Sequence, residues 1–447
     1  MFKKFTNACV NIMNKYLPDP FIFALILTFV VYVAGILVTK QTPLQMLGAW
    51  SGGFWNLLAF SMQMALVLVL GNAMAKAKVF KNILQKVAKS AKTPARAIMI
   101  TAFISAVACW INWGFGLVLG ALLAREMAKE VDHVDYRLLI ASAYSGFAVW
   151  HGGLSGSIPL QIAGEGKLAE VTKGALDVVV PTSATIFSPM NLTISALIII
   201  LLPLACYAMM PDKEHTFVVD KALLEDKERK EEAAKTPADK LERSKVLWIL
   251  ALILGFAVIV LKIQKDGLQL DLNFVNFIFM FVGLLLHGNI RNYIDAIMDS
   301  AASSGGIILQ FPFYAGIMGM MTAGHPETGV SLAGAISTWF VSISTERTFP
   351  LLTFLSAGVV NFFVPSGGGQ WAVQAPIMMP AGAKLGVETA KTAMAIAWGD
   401  AWTNMIQPFW ALPALGIAGL SAKDIMGYCV ITLLLTGGIV GVAMLIF

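Results

Sequence analysis

The sequence is poor in charge and in cysteine, and it lacks the short motifs that hold nucleotides or metals. Charged residues make up 13% of its 447 residues, while hydrophobic residues make up 57%. The four cysteines are far apart and form no C-x-x-C pair, so we interpret them as small core residues. The sequence contains no GKS or GKT phosphate loop, no H-E-x-x-H and no other metal-ligand cluster. The missing phosphate loop argues against ATP-driven transport by this chain.

Long uncharged runs take the place of those features. Several exceed the roughly 18 residues of a membrane-spanning helix, so the chain is predicted to be an all-α polytopic membrane protein. The first run, Phe21–Val38, follows three lysines without a cleavage site and is interpreted as a retained span. The lysine-rich segment between 76 and 96 is predicted to be an amphipathic helix on the membrane surface. Because Lys and Arg tend to stay on the cytoplasmic side, this helix and the N-terminus are expected there. The other predicted spans are Phe54–Ala75, Asn191–Met210, Lys245–Ile263, Leu272–Ile290, Ala301–Ala323 and Ile425–Phe447.

Two uncharged runs are interrupted in the middle. Thr348–Ala383 contains PSGGGQ, which predicts a helix–break–helix hairpin entering from one side of the membrane. Ala97–Ala124 contains INWGFG and has basic residues near both ends, which favours a hairpin that returns to the cytoplasm. A single straight span is the alternative for this second run.

Two further segments are predicted to be broken helices. Leu138–Ala163 carries HGGLSGSIP, and Glu388–Ala418 carries GDAWTNMIQP. Glycine and proline at these positions should unwind the helix. The charge-rich stretch from 211 to 245 differs from the rest and is interpreted as a solvated, partly helical cytoplasmic linker.

The halves on either side of this linker match weakly but in order. At one offset Gly114 falls on Gly367, Gly116 on Gly369, Gly146 on Gly399 and His151 on Asn404. We therefore predict one repeat over 1–210 and another over 271–447. The connecting span at 246–263 has no counterpart, so it inverts the second repeat and places the C-terminus in the periplasm. Inverted repeats with paired interrupted segments are typical of secondary transporters with a site at the bilayer midplane.

The candidate binding residues come from the four interrupted elements. Helix N-termini there suit an anionic group, while carbonyls and hydroxyl or amide oxygens suit a small cation such as Na+. No cofactor is expected beyond a coupling ion, H+ or Na+, and no metal site is assigned except a candidate Na+ position near Asp400 and Asn404. The candidate substrate- and ion-binding residues are Asn112, Trp113, Gly114, His151, Ser155, Ser157, Ser366, Gly367, Gly368, Gly369, Gln370, Asp400, Thr403, Asn404 and Gln407.

Each of these residues has a structural alternative. Asp400 is a lone carboxylate in an apolar segment, which favours a functional role over an acid that only caps the break. His151 could bind substrate, carry a proton or tie a glycine-rich turn together. Asn112 and Asn404 could be caps of the helix breaks.

A rival motif is GLSG at Gly153–Gly156, which fits the G-x-S-G pattern of rhomboid-type intramembrane serine proteases. Such an enzyme needs a histidine base on a later helix. The later candidates, His287 and His325, lie near span ends. We keep this as a remote alternative.

Four segments carry a family resemblance: KYLPDPFIFALILT, HGGLSGSIPLQIA, VVNFFVPSGGGQWAVQAP and AWGDAWTNMIQPFWALP. In this order they resemble the bacterial short-chain fatty acid transporter family, which is similar to the ion transporter superfamily that includes sodium-coupled dicarboxylate carriers. The resemblance implies uptake of butyrate- or acetoacetate-like monocarboxylates across the inner membrane. It also implies coupling to H+ or Na+, an elevator mechanism and a homodimer; no nucleic-acid partner is expected.

One feature departs from the dicarboxylate carriers. Their hairpin tips carry Ser-Asn-Thr, whereas the tips here read INWGFG and PSGGGQ. The departure puts a sodium site of that design and a dicarboxylate substrate in doubt. An exchanger or symporter for another small anion or cation stays open as an alternative.

Overall fold

The computed structural model describes residues 2–164, 179–224, 236–267 and 271–447, and within them all regular structure is helical. The α-helices of the first half, α1 to α11, are Phe2–Tyr16, Pro20–Thr39, Pro43–Gly53, Leu58–Lys76, Lys78–Ser90, Pro94–Ile111, Trp113–Glu130, Tyr136–Ser145, Ser157–Ala163, Pro189–Ala208 and Lys221–Leu224. Those of the second half, α12 to α22, are Pro237–Glu242, Lys245–Asp266, Leu272–His287, Ile290–Ala301, Gly305–Thr322, Leu332–Ser342, Phe349–Asn361, Gly367–Lys384, Thr389–Thr403, Pro408–Ala418 and Ala422–Ile446.

Seven stretches of the described residues are long and apolar enough to cross a membrane, which agrees with a multi-pass protein. They are Pro20–Thr39, Leu58–Lys76, Pro94–Ile111, Pro189–Ala208, Pro237–Lys265, Gly305–Thr322 and Ala422–Ile446. Several begin with proline directly after an oxygen-bearing cap, as at Asp19–Pro20, Thr93–Pro94 and Ser188–Pro189. Proline needs no N–H partner in the first turn, and the cap satisfies a neighbouring one.

The run Ala97–Ala124 forms a hairpin of α6 and α7, which is called the inner hairpin after the side on which it is predicted to open. The helices are separated by Asn112 alone, whose backbone is extended and whose Oδ1 accepts the N–H of Phe115 at 2.9 Å. A Cβ added at Gly116 would lie 2.4 Å from the nitrogen of Cys109, so the two arms are in backbone contact. The arms fold back on each other, and the straight-span alternative is wrong.

Thr348–Ala383 forms a hairpin of α18 and α19, which is called the outer hairpin after the side on which it is predicted to open. Gln370 Nε2 donates to the carbonyl of Ala357 at 2.8 Å, and Gln374 Nε2 donates to Ser356 Oγ at 3.1 Å. The non-helical break covers residues 362–366. The run is thus helix–break–helix, with its three glycines in the first turn of α19 rather than in the break.

Both predicted broken helices are interrupted as expected. The first runs through α8, a 3-10 turn at Gly146–Gly152 and α9; the second runs through α20, a 3-10 turn at Asn404–Ile406 and α21. Gln407 caps α21 by accepting the N–H of Phe409, and Pro408 occupies its first position. Proline and local side-chain acceptors therefore restart the second helix after its break.

The two described ends of the linker contact different halves of the chain. Phe217 donates its N–H to Asp135 and accepts the N–H of Tyr136, at 2.7 and 2.9 Å. On the other side, Arg291 pairs with Glu242 at 3.2 Å. Residues 225–235 of the predicted linker, and residues 165–178 of the predicted first repeat, lie outside the described residues.

Candidate functional site

The two broken helices bring His151 and Asp400 together in the interior. His151 Nδ1 lies 3.4 Å from Asp400 Oδ1, and both side chains are 0% exposed. His151 lies in the 3-10 turn after α8, and Asp400 lies in the last turn of α20. The two strongest ionisable candidates of the sequence thus face each other across the two halves of the chain.

The orientation of the imidazole is fixed by its other nitrogen. Nε2 of His151 accepts the backbone N–H of Ile158 at 3.1 Å, and the ring stacks on Trp150 with a centroid distance of 4.0 Å. A ring nitrogen that accepts an N–H carries no proton of its own. In the neutral ring the proton is therefore on Nδ1, which faces Asp400.

Asp400 is poorly satisfied for a buried carboxylate. Its Oδ1 is 3.5 Å from the amide nitrogen of Asn404, and its Oδ2 has no hydrogen-bond partner within the described residues. Asn361 donates instead to three neighbouring oxygens, the Asp400 carbonyl, Thr403 Oγ1 and Asn404 Oδ1, at 2.8, 3.0 and 2.7 Å. An ionised carboxylate with so few donors is costly in an apolar interior.

The tip of the outer hairpin lies on the first broken helix. A Cβ added at Gly367 would be 2.8 Å from His151 Cε1 and 3.2 Å from Ser157 Cβ, so only glycine fits there without displacing the tip. Ser366 caps α19 by accepting the N–H of Gly369 at 3.4 Å. Gly368 faces Gln161 on α9.

The tip of the inner hairpin reaches the same broken helix from the other end. The backbone N–H of Trp113 donates to Ser155 Oγ at 3.0 Å, and the N–H of Leu154 donates to the carbonyl of Trp110 at 2.8 Å. Asn112 caps α7, as its structural alternative predicts, and Gly114 approaches Leu272. Both hairpin tips therefore contact the segment between His151 and Ser157.

An aromatic cluster borders the inner tip. The ring centroid of Trp113 lies 5.3 Å from that of Trp410, 5.8 Å from that of Trp150 and 6.1 Å from that of Phe147. All four side chains are buried. This aromatic wall, defined by these four residues, offers apolar ring faces to a ligand, together with the indole N–H groups of Trp150 and Trp410, which have no partner within the described residues.

The remaining candidates serve the second broken helix and the outer hairpin. Thr403 Oγ1 donates to the carbonyl of Gly358 at 2.9 Å, and Gln407 Nε2 donates to the carbonyl of Phe362 at 2.6 Å. Gln370 bonds within the outer hairpin, to Ala357 and Gln374. Gln370 therefore stabilises the hairpin, and the hydrogen bonds described for it do not involve His151 or Asp400.

Sequence reasoning missed two buried amides. Asn361 was an isolated polar residue in an apolar helix, and that isolation was the available signal. Asn191 donates to the carbonyls of Gly152 and Ile186, at 2.8 and 2.7 Å, and accepts the indole N–H of Trp398 at 3.0 Å. It follows Pro189 at a helix start, where a capping residue is ordinary, so nothing in the sequence distinguished it.

A cavity of about 600 Å³ borders the outer tip. It reaches Gly369 and is lined by uncharged side chains of α16, α17 and α19, among them Met318, Thr338 and Ala372. No group of three or more His, Cys, Asp or Glu side chains suited to a metal occurs in the described parts of the chain.

These features match one known family. The profile of the short chain fatty acid transporter family covers residues 1–447. The chain belongs to that family. A protein of Escherichia coli K12, provisionally named a short-chain fatty acid transporter, is 43% identical over 450 residues that cover 100% of both chains. A Haemophilus influenzae protein with the same provisional name is 42% identical over 98% of both chains.

Membership of the short-chain fatty acid transporter family makes this chain a transporter and not an enzyme. Among solved structures, the YdaH transporter of Alcanivorax borkumensis matches 95% of this chain and 98% of its own, at 16% identity and a TM-score of 0.42. A likeness at that score carries no argument about the site.

Proposed function

We propose that the chain is a secondary carrier that imports short-chain monocarboxylates, of the butyrate and acetoacetate class, into a bacterial cell. Uptake is coupled to a gradient of H+ or Na+. The observation that carries the proposal is the meeting of His151 and Asp400, 3.4 Å apart and fully buried, beneath the outer hairpin tip at Gly367. An ionisable pair inside a membrane protein is a functional site by default.

The surroundings of the pair suit a small organic anion. The N-terminal turns of α7 and α19, at Asn112 and Ser366, end beside the segment that follows His151. Helix N-termini favour an anionic group, and the aromatic wall favours an alkyl tail. A single carboxylate with a short tail uses both features, whereas a dicarboxylate would bury a second charge.

The transport movement is proposed to be of the elevator type. Repeats over 1–210 and 271–447 would be inverted, with 211–245 as linker and 246–263 as connecting span. The hairpins and broken helices would move with the substrate, while the remaining spans, in a homodimer, hold still. Multi-pass insertion in the inner membrane would leave the N-terminus in the cytoplasm and the C-terminus in the periplasm.

Two alternatives are weaker on specific contacts. An exchanger or symporter for another small ion would not need the aromatic wall. An intramembrane protease would need Ser155 beside a free histidine base. Instead, Ser155 accepts the N–H of Trp113, Nε2 of His151 accepts the N–H of Ile158, and Nδ1 of His151 lies 3.4 Å from Asp400.

Counterflow in proteoliposomes tests the proposal. Vesicles loaded with unlabelled butyrate should take up labelled butyrate transiently without any ion gradient, whereas protein-free vesicles should not. Acetoacetate should compete, and succinate should compete weakly. A folded protein that shows no counterflow with any short monocarboxylate would contradict the proposal.

A further inference from the structure

We propose that the coupling ion is a proton held by His151 and Asp400 together, and that binding of this proton admits the anionic substrate. The inference deepens the proposed function and rests on it. It names the ion and the two groups that carry it, the imidazole of His151 and the carboxyl of Asp400, whose Nδ1 and Oδ1 atoms are 3.4 Å apart.

The first argument is the orientation of the ring. Because Nε2 of His151 accepts the N–H of Ile158, the neutral imidazole carries its proton on Nδ1, which lies 3.4 Å from Asp400 Oδ1 and makes no hydrogen bond within the described residues. The pair then carries one proton between the two residues and one negative charge. While Nε2 of His151 accepts the N–H of Ile158, a second proton can be accommodated on Asp400, whose Oδ2 has no partner within the described residues. The pair is then an imidazole beside a carboxylic acid, with a net charge of zero.

The second argument is the incomplete bonding of Asp400. Its Oδ2 has no partner within the described residues, and Asn404 is distant at 3.5 Å. The oxygens that a small cation would use are already occupied by the amide of Asn361, which donates to the Asp400 carbonyl, Thr403 Oγ1 and Asn404 Oδ1. A proton satisfies Asp400 without displacing this amide.

The third argument is isolation from other charge. Near the pair, the hydroxyl of Tyr144 donates to the carbonyl of Asn404, and Cys429 lies close to Tyr144; both side chains are uncharged in their ordinary forms. The charged residues of α6, α7, α8, α19, α20 and α22 lie towards the opposite ends of those helices; Lys391 of α20 and Lys384 of α19 are examples. The pair therefore sets the charge of the site by itself.

Coupling follows from electrostatics. With the pair at net charge minus one, a carboxylate beside it in a low-dielectric interior is repelled; with the pair neutral, the repulsion is removed. Substrate and proton are then bound together, and the affinity of each rises by the same factor. The outer tip covers the ring, since Gly367 packs on His151 Cε1. Proton exchange would consequently require that tip to move.

The decisive experiment compares two transport assays for Asp400→Asn. Counterflow of labelled butyrate should be retained at least in part, because the neutral amide mimics the protonated acid. Accumulation driven by an inward proton gradient, in sodium-free buffer at a clamped membrane potential, should fall at least roughly tenfold. Asp271→Asn is the matched control, since asparagine also caps the helix that Asp271 begins, and it should change neither assay.

A measurement on the unmodified protein keeps the test decisive if Asp400→Asn does not fold. Butyrate binding, measured over a range of pH, should take up protons, up to about one per molecule, as linkage requires. Calorimetry in buffers of different ionisation enthalpy measures this number. Binding without proton uptake, or accumulation that follows a sodium gradient and ignores the proton gradient, would overturn the proton role while leaving the carrier intact. Absence of counterflow in the folded parent would overturn the carrier proposal itself.

Discussion

Gly367 packs directly against the imidazole of His151: a Cβ built on it would lie 2.8 Å from Cε1 and 3.1 Å from Nε2. The glycine-rich tip therefore joins the outer hairpin to the first broken helix. Its neighbours make comparable approaches, Gly368 to Gln161 and Gly369 to Met318. The three glycines serve close packing between separate parts of the chain.

Gly367→Ala should consequently displace the tip from His151. We expect transport to fall at least roughly tenfold, with a loss of stability of about 1–3 kcal/mol from overpacking. Counterflow and thermal unfolding measure the two effects. Gly438→Ala is the control, because a Cβ there meets no atom within 4 Å. Parental transport in Gly367→Ala would show that tip contact is dispensable.

Asn191→Ala should destabilise the protein by roughly 2–4 kcal/mol. The change leaves the carbonyls of Gly152 and Ile186 and the indole N–H of Trp398 without their present partner, all in the interior. Thermal unfolding in detergent measures the loss. Asn273→Ala removes an exposed bond to Gln63 and should cost under about 1 kcal/mol. Equal losses in the two variants would argue against the buried network.

The contact between Asp135 and Phe217 at the start of α8 is expected to depend on pH. Burial raises the pKa of this carboxyl, although the N–H groups of Phe217 and Leu138 oppose the shift. Because the folded pKa is raised, the contribution to stability is fully present below the unfolded value of about 3.8 and is lost as pH rises through the folded pKa. The difference in melting temperature between parent and Asp135→Asn should therefore change over the pH range that begins near 3.8 and extends upward.

Because both proteins carry the same other titratable groups, the effects of those groups cancel in the difference in melting temperature. Asn at position 135 retains one oxygen for the cap of α8 but turns an amide towards the N–H of Phe217, so exchange of that backbone hydrogen should become faster. A pH-independent difference between the two proteins would contradict the assigned role of burial.

Trp410→Phe should relax the selectivity for chain length. The Trp410 ring is part of the aromatic wall, 5.2 Å from Phe147 and 5.3 Å from Trp113. A smaller ring leaves room for added methylenes, each worth about 1–3 kcal/mol in a fitted pocket. Hexanoate should then compete better against labelled butyrate, by roughly tenfold. Trp339→Phe, at a side chain that is 58% exposed, should leave the competition unchanged.

The positions at which helices are interrupted were easier to predict from the sequence than the residues that these interruptions contact. Breaks at Asn112, Pro365 and Pro408 depend on local chemistry, because a cap or a proline ends or restarts a helix wherever it occurs. The sequence suggested the hairpin at Asn112, but the approach of Gly116 to Cys109 settled it against a straight span.

The site required three-dimensional information. Aligning the halves matched His151 with Asn404, yet the side chain that faces His151 is Asp400. The direction of Gln370, which bonds within its hairpin, follows from the fit of two helices and not from its position in PSGGGQ. The role of Asn361 could be recognised only from the structure, in which its amide lies within hydrogen-bond distance of three oxygens.

The attachment of the linker at both described ends has a practical consequence for engineering. Arg125 donates to the carbonyl of Leu224, and Lys221 pairs with Asp132. The first half of the chain therefore binds the adjoining end of the linker. Lys245 donates to the carbonyl of Gly288, so the second half does the same. Two separately translated polypeptides, divided between Leu224 and Thr236, should therefore reassemble when coexpressed, which makes this chain suited to split-protein complementation.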